Sequence, residues 1–284
     1  MSGEPQIGLH VSISGSLELA FDRAKEAGCT TFQIFTRNPN QWAYRPIASE
    51  VADAFRRRRR EEGTRSVVDH MPYLPNLASH VPSTVKVSRA SLAAEVKRCD
   101  ELGIDFLVTH LGSHLGAGKA KGIRNVAGAV DFALAQSTGK AVVLLENMAG
   151  QKNSVGSSFD DLAGILDKVE DRKRVGVCFD TCHGYAAGFD LGSSAAVAQT
   201  MDLFDSTLGF DRLRVVHLND SKGSLGGNLD RHENIGKGKI GTRGLKAFIN
   251  YPEMLKRPVV METPYEDVAG MISSMKAARA LVAP

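Results

Sequence analysis

The sequence predicts an α/β fold with a single (β/α)8 TIM barrel and an active site at the C-terminal rim of its strands. Eight short apolar, β-branched runs recur along the 284 residues, and each is followed by a polar loop. Segments with helical periodicity separate these runs, and no change of composition marks a linker, so residues 1–284 are expected to form one domain. Such repeated alternation is typical of a barrel, with a doubly wound open sheet as the structural alternative.

The eight predicted strands are continuous hydrophobic runs, which is the pattern of parallel strands covered on both faces. They cover residues 7–11, 31–35, 66–69, 106–109, 141–145, 175–179, 213–216 and 258–261. Helices are predicted from serine caps and terminal glycines, beginning with one from Ser16 to Gly28 and one from Ser49 to Gly63. Further helices cover 83–102, a stretch from Ser157 or Ser158 to Val169, 194–208 and 265–282.

The composition is typical of a soluble cytoplasmic protein that does not contact membranes. Apolar residues make up 43% of the chain, enough for a sizeable core, and 35 basic against 32 acidic residues give a formal charge of +3. So weak an excess neither requires nor excludes nucleic acid as a partner. Cys29, Cys99, Cys178 and Cys182 form no CxxC pair, so we expect reduced thiols. The N-terminus has no signal-peptide pattern, and no apolar run approaches the roughly 20 residues of a membrane span.

Histidines and carboxylates end most of the predicted strands or lie in the loops that follow them. Because the C-terminal ends of barrel strands meet at one rim, we expect these side chains to lie together. Taken singly, each is more typical of a hydrogen-bonded rim residue or a helix cap, but nine of them at one rim favour metal binding. The nine are His70, His110, Glu146, Asp180, His183, His217, Asp230, His232 and Glu262.

Divalent cations explain how four carboxylates share one rim, since without cations they would repel one another and raise each other's pKa. Imidazole and carboxylate ligands without thiolate suit zinc, manganese or iron. Zinc usually takes about four ligands, so nine side chains are too many for one ion and fit two or three. We expect His10 and His114 to orient ligands or loops, His80 to lie at the surface, and Cys182 to pack without binding metal.

Basic and glycine-rich segments elsewhere predict little further chemistry. The five consecutive arginines at 56–60 point all round a helix, so we expect a solvated face with some stems packed on the barrel. The segment GSHLGAGKA at 112–120 lacks a P-loop glycine and a Ser or Thr after its lysine, so no nucleotide cofactor is expected. Better candidates for phosphate contacts are the lysines of the predicted rim loops, Lys119, Lys121, Lys222, Lys237 and Lys239.

The sequence resembles the endonuclease IV family of apurinic/apyrimidinic (AP) endonucleases over nearly its whole length, from IGLHVS at 7–12 to METPYED at 261–267. The strongest segments are FDTCHGYAAGFDL at 179–191, VVHLNDSKG at 215–223 and DRHENIGKGKIG at 230–241. Two further segments are LLENMAGQ at 144–151 and THLGSHLGAG at 109–118. Together these motifs are highly specific, and they include the nine residues selected above.

The resemblance implies a site for three metal ions, usually zinc, where manganese or iron can occupy one or more positions. The first ion would be held by His70, His110 and Glu146. Glu146 would bridge to a second ion, held also by Asp180, His217 and Glu262, and would position the attacking hydroxide. The third ion would be held by His183, Asp230 and His232.

The activity implied by the resemblance is hydrolysis of the phosphodiester bond 5′ to an abasic site in double-stranded DNA, as a step of base excision repair. The products would be a 3′-hydroxyl and a 5′-deoxyribose phosphate. The loops after the second and third strands would enter the minor groove and extrude the abasic nucleotide. The candidate DNA contacts are Asn40, Gln41, Tyr73, Leu74 and Asn76. Because Asn40 stands where some relatives carry arginine, Gln41 or Trp42 is expected to take more of the intercalating role. The protein is expected to be a monomer.

Two other functions remain open at this point. The main alternative is a xylose-isomerase-like sugar isomerase or epimerase, which holds one or two metals at the same rim. The third set of ligands and the groove-facing loops argue against it. The second alternative is a metal-storing or DNA-binding barrel without turnover, which predicts binding of abasic DNA with no nick.

Overall fold

Eight parallel strands close into a barrel in the computed structural model, which describes residues 5–283. The strands are β1 (Ile7–His10), β2 (Thr31–Ile34), β3 (Val67–His70), β4 (Phe106–Thr109), β5 (Val142–Glu146), β6 (Val175–Asp180), β7 (Leu213–His217), β8 (Asp220–Ser221), β9 (His232–Glu233) and β10 (Val259–Met261). From β1 to β7 each strand pairs with the next, and β10 closes the barrel between β7 and β1. β8 and β9 form a small antiparallel sheet outside it. The predicted barrel is confirmed, and each of its strands lies within one residue of the predicted bounds.

Helices surround the barrel, and all six predicted helices are present. The helices are α1 (Leu19–Ala27), α2 (Ser49–Glu61), α3 (Pro82–Leu102), α4 (Lys119–Ala135), α5 (Phe159–Leu166), α6 (Thr181–Ala187), α7 (Ser194–Leu208), α8 (Gly241–Ile249) and α9 (Val268–Leu281). Helices α4, α6 and α8 were not predicted from the sequence. Within residues 5–283, no helix is both long enough and apolar enough to span a membrane.

Several helices begin at a different residue from the predicted one. In some of them another side chain caps the first turn, and in others no side chain does. Ser193, and not the serine after it, caps α7 by accepting a backbone N–H of the first turn at 3.2 Å. Asp267 caps α9 in the same way at 2.8 Å, so α9 begins later than predicted. Ser16 donates to the carboxylate of Glu18 and does not cap α1. α4 follows Gly118 with no side-chain cap, so the capping pattern could not reveal it.

The interior of the barrel is apolar below its C-terminal rim. A larger apolar layer fills the space between the strands and the surrounding helices. The interior cluster itself consists of Val68, Val108, Leu144, Cys178, Val215 and Val260, all fully buried. These six residues fix where the polar side chains of the rim must point.

Candidate metal centre

Alternation along the strands positions six of the nine predicted ligands. Successive side chains of a strand point to opposite faces, so residues two apart point the same way. Val68 of the interior cluster lies two positions before His70, and Val260 lies two positions before Glu262. The same spacing joins residues 108 and 110, 144 and 146, 178 and 180, and 215 and 217. These ligands therefore form the next layer of the barrel interior, directly above the apolar cluster.

Three side chains at the ends of β3, β4 and β5 form the first group, which consists of His70, His110 and Glu146. Their potential ligand atoms all lie within 4.8 Å of one another. Glu146 Oε2 is 3.3 Å from His70 Nε2 and 3.2 Å from His110 Nε2. One oxygen of Glu146 thus faces both imidazoles, and all three side chains can contribute to one cation.

The second group consists of Glu146, Asp180, His217 and Glu262, which also lie within 4.8 Å of one another. Glu146 Oε1 is 3.0 Å from His217 Nδ1, and the same nitrogen is 3.3 Å from Glu262 Oε2. Glu146, Asp180 and His217 are fully buried. Glu146 therefore presents one oxygen to each of two groups, which is the arrangement that a bridging carboxylate requires.

The third group consists of His183 on α6, Asp230 in the loop before β9, and His232 on β9. Asp230 Oδ1 lies 3.1 Å from His183 Nε2 and 3.8 Å from His232 Nε2. The structure also brings Cys182 into a group with Asp180 and His232. Burial raises the pKa of the Cys182 thiol to about 12, and a protonated thiol is a poor metal ligand. We therefore keep the interpretation of Cys182 as a packing residue.

Buried imidazole nitrogens that make no well-directed hydrogen bond fit these groups for cations. Among the residues that the structure describes, the Nε2 atoms of His183 and His232 are buried and make no hydrogen bond of good geometry, although Asp230 Oδ1 lies near both. Leaving such an atom unsatisfied costs about 1–3 kcal/mol. A divalent cation satisfies both nitrogens, and it also neutralises the buried carboxylates of Glu146 and Asp180. Imidazole and carboxylate donors fit zinc, manganese or iron.

Neighbouring imidazoles keep the buried carboxylates ionised. Burial by itself favours protonation of Glu146, but His110 and His217 outweigh it and hold the pKa of Glu146 well below its usual range. Burial opposes ionisation of Glu262 too, and His217 again outweighs it, so the pKa of Glu262 falls to about 2. Both carboxylates are therefore negatively charged at neutral pH and available to cations.

Gln33, a buried amide on β2, links two members of the second group, and the sequence analysis did not identify it. Gln33 Nε2 donates to Glu262 Oε1 at 2.6 Å, and Gln33 Oε1 accepts from His217 Nε2 at 2.8 Å. The Nε2 proton of His217 is thus committed to Gln33, so Nδ1, which faces Glu146, is the nitrogen that can bind metal once it is deprotonated. His10 Nδ1 lies 3.0 Å from Gln33 Nε2, consistent with the predicted orienting role of His10. A fully buried polar residue within an apolar strand is the pattern that points to Gln33.

Two asparagines hold the ligands at the end of β6. Asn219 Nδ2 donates to Asp180 Oδ2 at 2.7 Å. The side chain of Asn147 accepts the backbone N–H of Asp180 at 2.7 Å, and its backbone carbonyl lies 3.0 Å from His183 Nδ1. The Nε2 atom of His183 is consequently directed at the third group. These contacts fix the orientation of ligands that the strands alone would leave free to rotate.

The other two histidines lie away from the three groups. His114 Nδ1 accepts the backbone N–H groups of Gly116 and Gly118, both at 3.2 Å, so it orients the loop after β4 as predicted. His80 is exposed, as predicted.

Curated relatives match the chain over nearly its whole length. A probable endonuclease 4 from Cenarchaeum symbiosum strain A is 48% identical over 279 residues, which cover 97% of this chain and 99% of the relative. A probable endonuclease 4 from Methanoculleus marisnigri is 47% identical over 263 residues, covering 92% and 93%. The chain belongs to the endonuclease IV family. A model of xylose isomerase-like TIM barrels also matches residues 21–282.

Solved structures agree with membership of the endonuclease IV family. Endonuclease IV from Thermus thermophilus is similar with a TM-score of 0.88 at 33% identity, covering 98% of both chains. A D-tagatose 3-epimerase-like protein is similar with a TM-score of 0.70 at 18% identity, covering 96% of both chains. At so low an identity the second likeness shows the fold alone, so the sugar isomerase alternative has no support beyond the barrel itself.

In this member of the endonuclease IV family, two loops predicted to contact DNA follow the C-terminal ends of β2 and β3. In the loop after β2, Asn40 and Gln41 are exposed and Trp42 is 45% exposed. In the loop after β3, Tyr73 is 56% exposed and Leu74 is 37% exposed. Large side chains of both loops thus face solvent.

Asn76 differs from the other four candidate DNA contacts because it is half-buried. Its side-chain oxygen accepts the backbone N–H of Ser113 at 2.9 Å, and its backbone N–H donates to Ser88 at 2.9 Å. Asn76 therefore holds the loops after β3 and β4 together. A direct contact between Asn76 and DNA stays a prediction.

An open cavity of about 470 Å³ lies over the metal groups. Tyr73, Lys222 and Arg231 line it together with ligands of all three groups. Of the other predicted phosphate contacts, Lys119 pairs with Asp161 at 3.2 Å and is engaged within the protein. The remaining lysines, Lys121, Lys237 and Lys239, are exposed. The cavity is thus lined by carboxylates of the metal groups and by two basic side chains, Lys222 and Arg231.

Proposed function

We propose that this chain is a metal-dependent AP endonuclease that hydrolyses the phosphodiester bond 5′ to an abasic site in double-stranded DNA. The products are a 3′-hydroxyl and a 5′-deoxyribose phosphate, and the reaction is a step of base excision repair. The observation that carries the proposal is the position of Glu146, which offers one oxygen to each of two ligand groups. Membership of the endonuclease IV family supports the same activity.

The metal centre in this proposal holds three divalent ions, with zinc as the expected metal and manganese or iron as substitutes that the same donors accept. The first, second and third groups would each hold one ion, and Glu146 would bridge the first two. When bound, the ions would supply positive charge to the scissile phosphate and lower the pKa of water for attack. Neither a covalent enzyme intermediate nor a nucleotide cofactor is required.

The chain's own residues position the substrate and the ligands. Glu146 holds the first two groups at a fixed separation, and Gln33 and Asn219 orient the ligands of the second group. Lys222 and Arg231 at the edge of the cavity attract the DNA backbone. The cavity leaves room for a nucleotide that has been turned out of the stack.

The specificity for abasic sites in this proposal comes from the loops after β2 and β3. Tyr73 and Leu74 offer exposed apolar surface that can enter the gap left by a missing base. Asn40, Gln41 and Trp42 reach the duplex from the neighbouring loop. We further propose that residues 1–284 form one domain that acts as a monomer in the cytoplasm.

Nicking of a duplex that contains one abasic site tests the proposed function. We expect the purified protein to cut that strand 5′ to the lesion and to leave an undamaged duplex of the same sequence intact. Prolonged chelation should abolish nicking in parallel with loss of metal, and added zinc should restore it. Nicking that survives complete metal removal would contradict the metal mechanism, and sugar isomerisation with the abasic duplex left intact would favour the alternative.

A further inference from the structure

A buried ion cluster lies beneath the loop after β2. It consists of Arg37 in the loop and Glu95 and Arg98 on α3, which are 7%, 0% and 6% exposed. Arg37 Nε pairs with one oxygen of Glu95. The other oxygen of Glu95 lies 3.8 Å from Arg98 Nε and accepts the hydroxyl of Thr36 at 2.8 Å. Glu95 is therefore the common anion of two buried guanidinium groups.

Both arginines of the cluster also donate N–H groups to backbone carbonyls of the loop. Arg37 Nη1 donates to the carbonyl of Gln41 at 2.6 Å. Arg98 Nη1 donates to the carbonyl of Arg45 at 3.0 Å, and its Nη2 donates to the carbonyl of Thr36 at 2.5 Å. The loop is thus fixed at its start, middle and end by side chains that are themselves buried.

The ring of Tyr44 adds a further contact at the same place. Its centroid lies 4.9 Å from the guanidinium carbon of Arg37 and 5.8 Å from that of Arg98. A cation placed over an aromatic face at this distance is attracted by the ring. The stacked ring therefore fixes the part of the loop that follows Trp42.

The loop has little structure of its own to keep it in place. Between β2 and α2 the described chain forms no helix or strand, and its local hydrogen bonds are confined to a turn in which Asn38 accepts the backbone N–H groups of Asn40 at 2.9 Å and Gln41 at 3.4 Å. Asn40, Gln41 and Trp42 are exposed. An unanchored loop of this kind would lose conformational freedom on binding, and that loss would weaken affinity.

We propose that Arg37, Glu95 and Arg98 are positioning residues that hold the loop at 36–45 in its DNA-binding conformation before DNA arrives. This inference rests on the proposed function, since it takes the loop to be a DNA contact. Burying two arginines around one glutamate costs desolvation energy, and apolar residues would fill the same space more simply. Apolar residues could not donate hydrogen bonds to the loop carbonyls, as the guanidinium groups of Arg37 and Arg98 do, and this explains the charged residues in the cluster.

Replacement of Glu95 by glutamine tests the proposal, because Glu95→Gln keeps the shape of the side chain and removes the common anion. We expect the KM for an abasic duplex to rise about tenfold, with kcat changed by less than about twofold, because the loop must then be ordered during binding. Metal content should equal that of the wild type, since Glu95 belongs to none of the three ligand groups.

Trp42 gives a readout that does not depend on activity, because it is the chain's single tryptophan and lies in this loop. In DNA-free protein, Glu95→Gln should lower the fluorescence anisotropy of Trp42 and increase its quenching by iodide. Addition of abasic duplex should restore both. A general loss of stability at the barrel would not change the local mobility of Trp42 in the folded protein.

The matched control is Glu253→Gln, because Glu253 also pairs with an arginine, Arg257, but at the start of β10, away from the rim. It should leave the KM and the Trp42 anisotropy unchanged. If Glu95→Gln does not fold, Arg37→Lys serves instead, since lysine keeps the charge near Glu95 but cannot also reach the Gln41 carbonyl.

Unchanged Trp42 anisotropy in a folded variant with native metal content would overturn the proposal. A mobile loop in the variant with an unchanged KM would overturn it as well. In that case the cluster anchors the loop in the wild type, but the anchoring does not serve DNA binding. Failure of the wild type to nick abasic DNA would instead count against the proposed function. In that case the anisotropy of the DNA-free variants still tests whether the cluster anchors the loop.

Discussion

The two ends of the barrel each hold an open cavity lined by charged side chains. The two cavities differ in whether their polar groups already have bonding partners within the protein. The cavity at the N-terminal ends of the strands has a volume of about 520 Å³, and that at the C-terminal rim about 470 Å³. The larger one is lined by Asp100, Asp105, Lys140 and Arg214. Volume alone therefore does not distinguish the rim from the end of the barrel that carries no metal-ligand cluster among the described residues.

At the N-terminal end, three of these four charged groups already have structural partners. Asp105 pairs with Arg59 at 2.6 Å, and Asp100 accepts the backbone N–H of Ala141 at 3.1 Å. The guanidinium of Arg214 lies over the ring of Phe106, 5.9 Å from its centroid. At the rim, by contrast, two buried imidazole nitrogens within the described residues make no well-directed hydrogen bond, and carboxylates converge on them. Unsatisfied polar atoms, more than cavity size, therefore identify a site.

The largest expected effect comes from Glu146→Gln at the rim, because it removes charge from the carboxylate shared by the first and second groups. We expect cleavage of abasic DNA to fall by about a thousandfold or more, the scale seen when a group that stabilises the transition state is lost. The bound metal should fall as well. Single-turnover nicking and elemental analysis of the purified variant measure both effects. Native metal content together with wild-type activity in the folded variant would contradict the bridging role.

A smaller effect is expected from Gln33→Met, which keeps the length of the side chain but removes its hydrogen bonds to His217 and Glu262. Loss of such an orienting residue typically weakens metal affinity by about 10–100-fold. Competition with a chelator of known affinity measures the change. Gln136→Met, the same substitution at an exposed position, is the control. Equal zinc retention in the two variants would exclude the orienting role of Gln33.

The sequence was sufficient to predict the barrel and the layer of ligands because both follow from local pattern. Parallel strands covered on two faces must be apolar, and the residue that ends each run must lie at the rim. His70, Glu146 and His217 therefore stood out without a structure. The division of nine ligands into three groups did not follow from spacing, since it depends on which oxygen of Glu146 faces which imidazole. That division came from the family resemblance.

Residues whose role depends on distant partners were missed. Gln33 lies 229 positions from Glu262 along the chain, and the anchoring of the loop by Glu95 depends on how α3 packs against the loop after β2. Asn76 was predicted from its place in a motif, but its side-chain oxygen is directed at another loop. Such contacts are set by tertiary packing, which leaves no periodic pattern in the sequence.

The exposed apolar side chains beside the rim should affect DNA binding with little effect on stability. Burying a leucine side chain contributes about 1.5–3 kcal/mol, so loss of the contact should raise the Kd for abasic DNA about tenfold or more. We expect this from Leu74→Ser, with an unchanged melting temperature because Leu74 is already 37% exposed. The control is Leu203→Ser on α7, where the leucine is 49% exposed. Equal DNA affinity of the two variants would remove Leu74 from the interface.

The smallest effect on activity is expected at the N-terminal end, from Asp105→Asn. Asp105 Oδ2 accepts from Arg59 and from the backbone N–H of Val67 at 3.1 Å, so these contacts stabilise the start of β3. Because the side chain is 36% exposed, solvent screens the pair, and we expect the free energy of unfolding to fall by about 1 kcal/mol. Nicking at a saturating DNA concentration should stay within about twofold of the wild type, since no substrate reaches this end of the barrel. A large loss of activity with normal stability would mean that both cavities serve the reaction, and the distinction between the two ends would then fail.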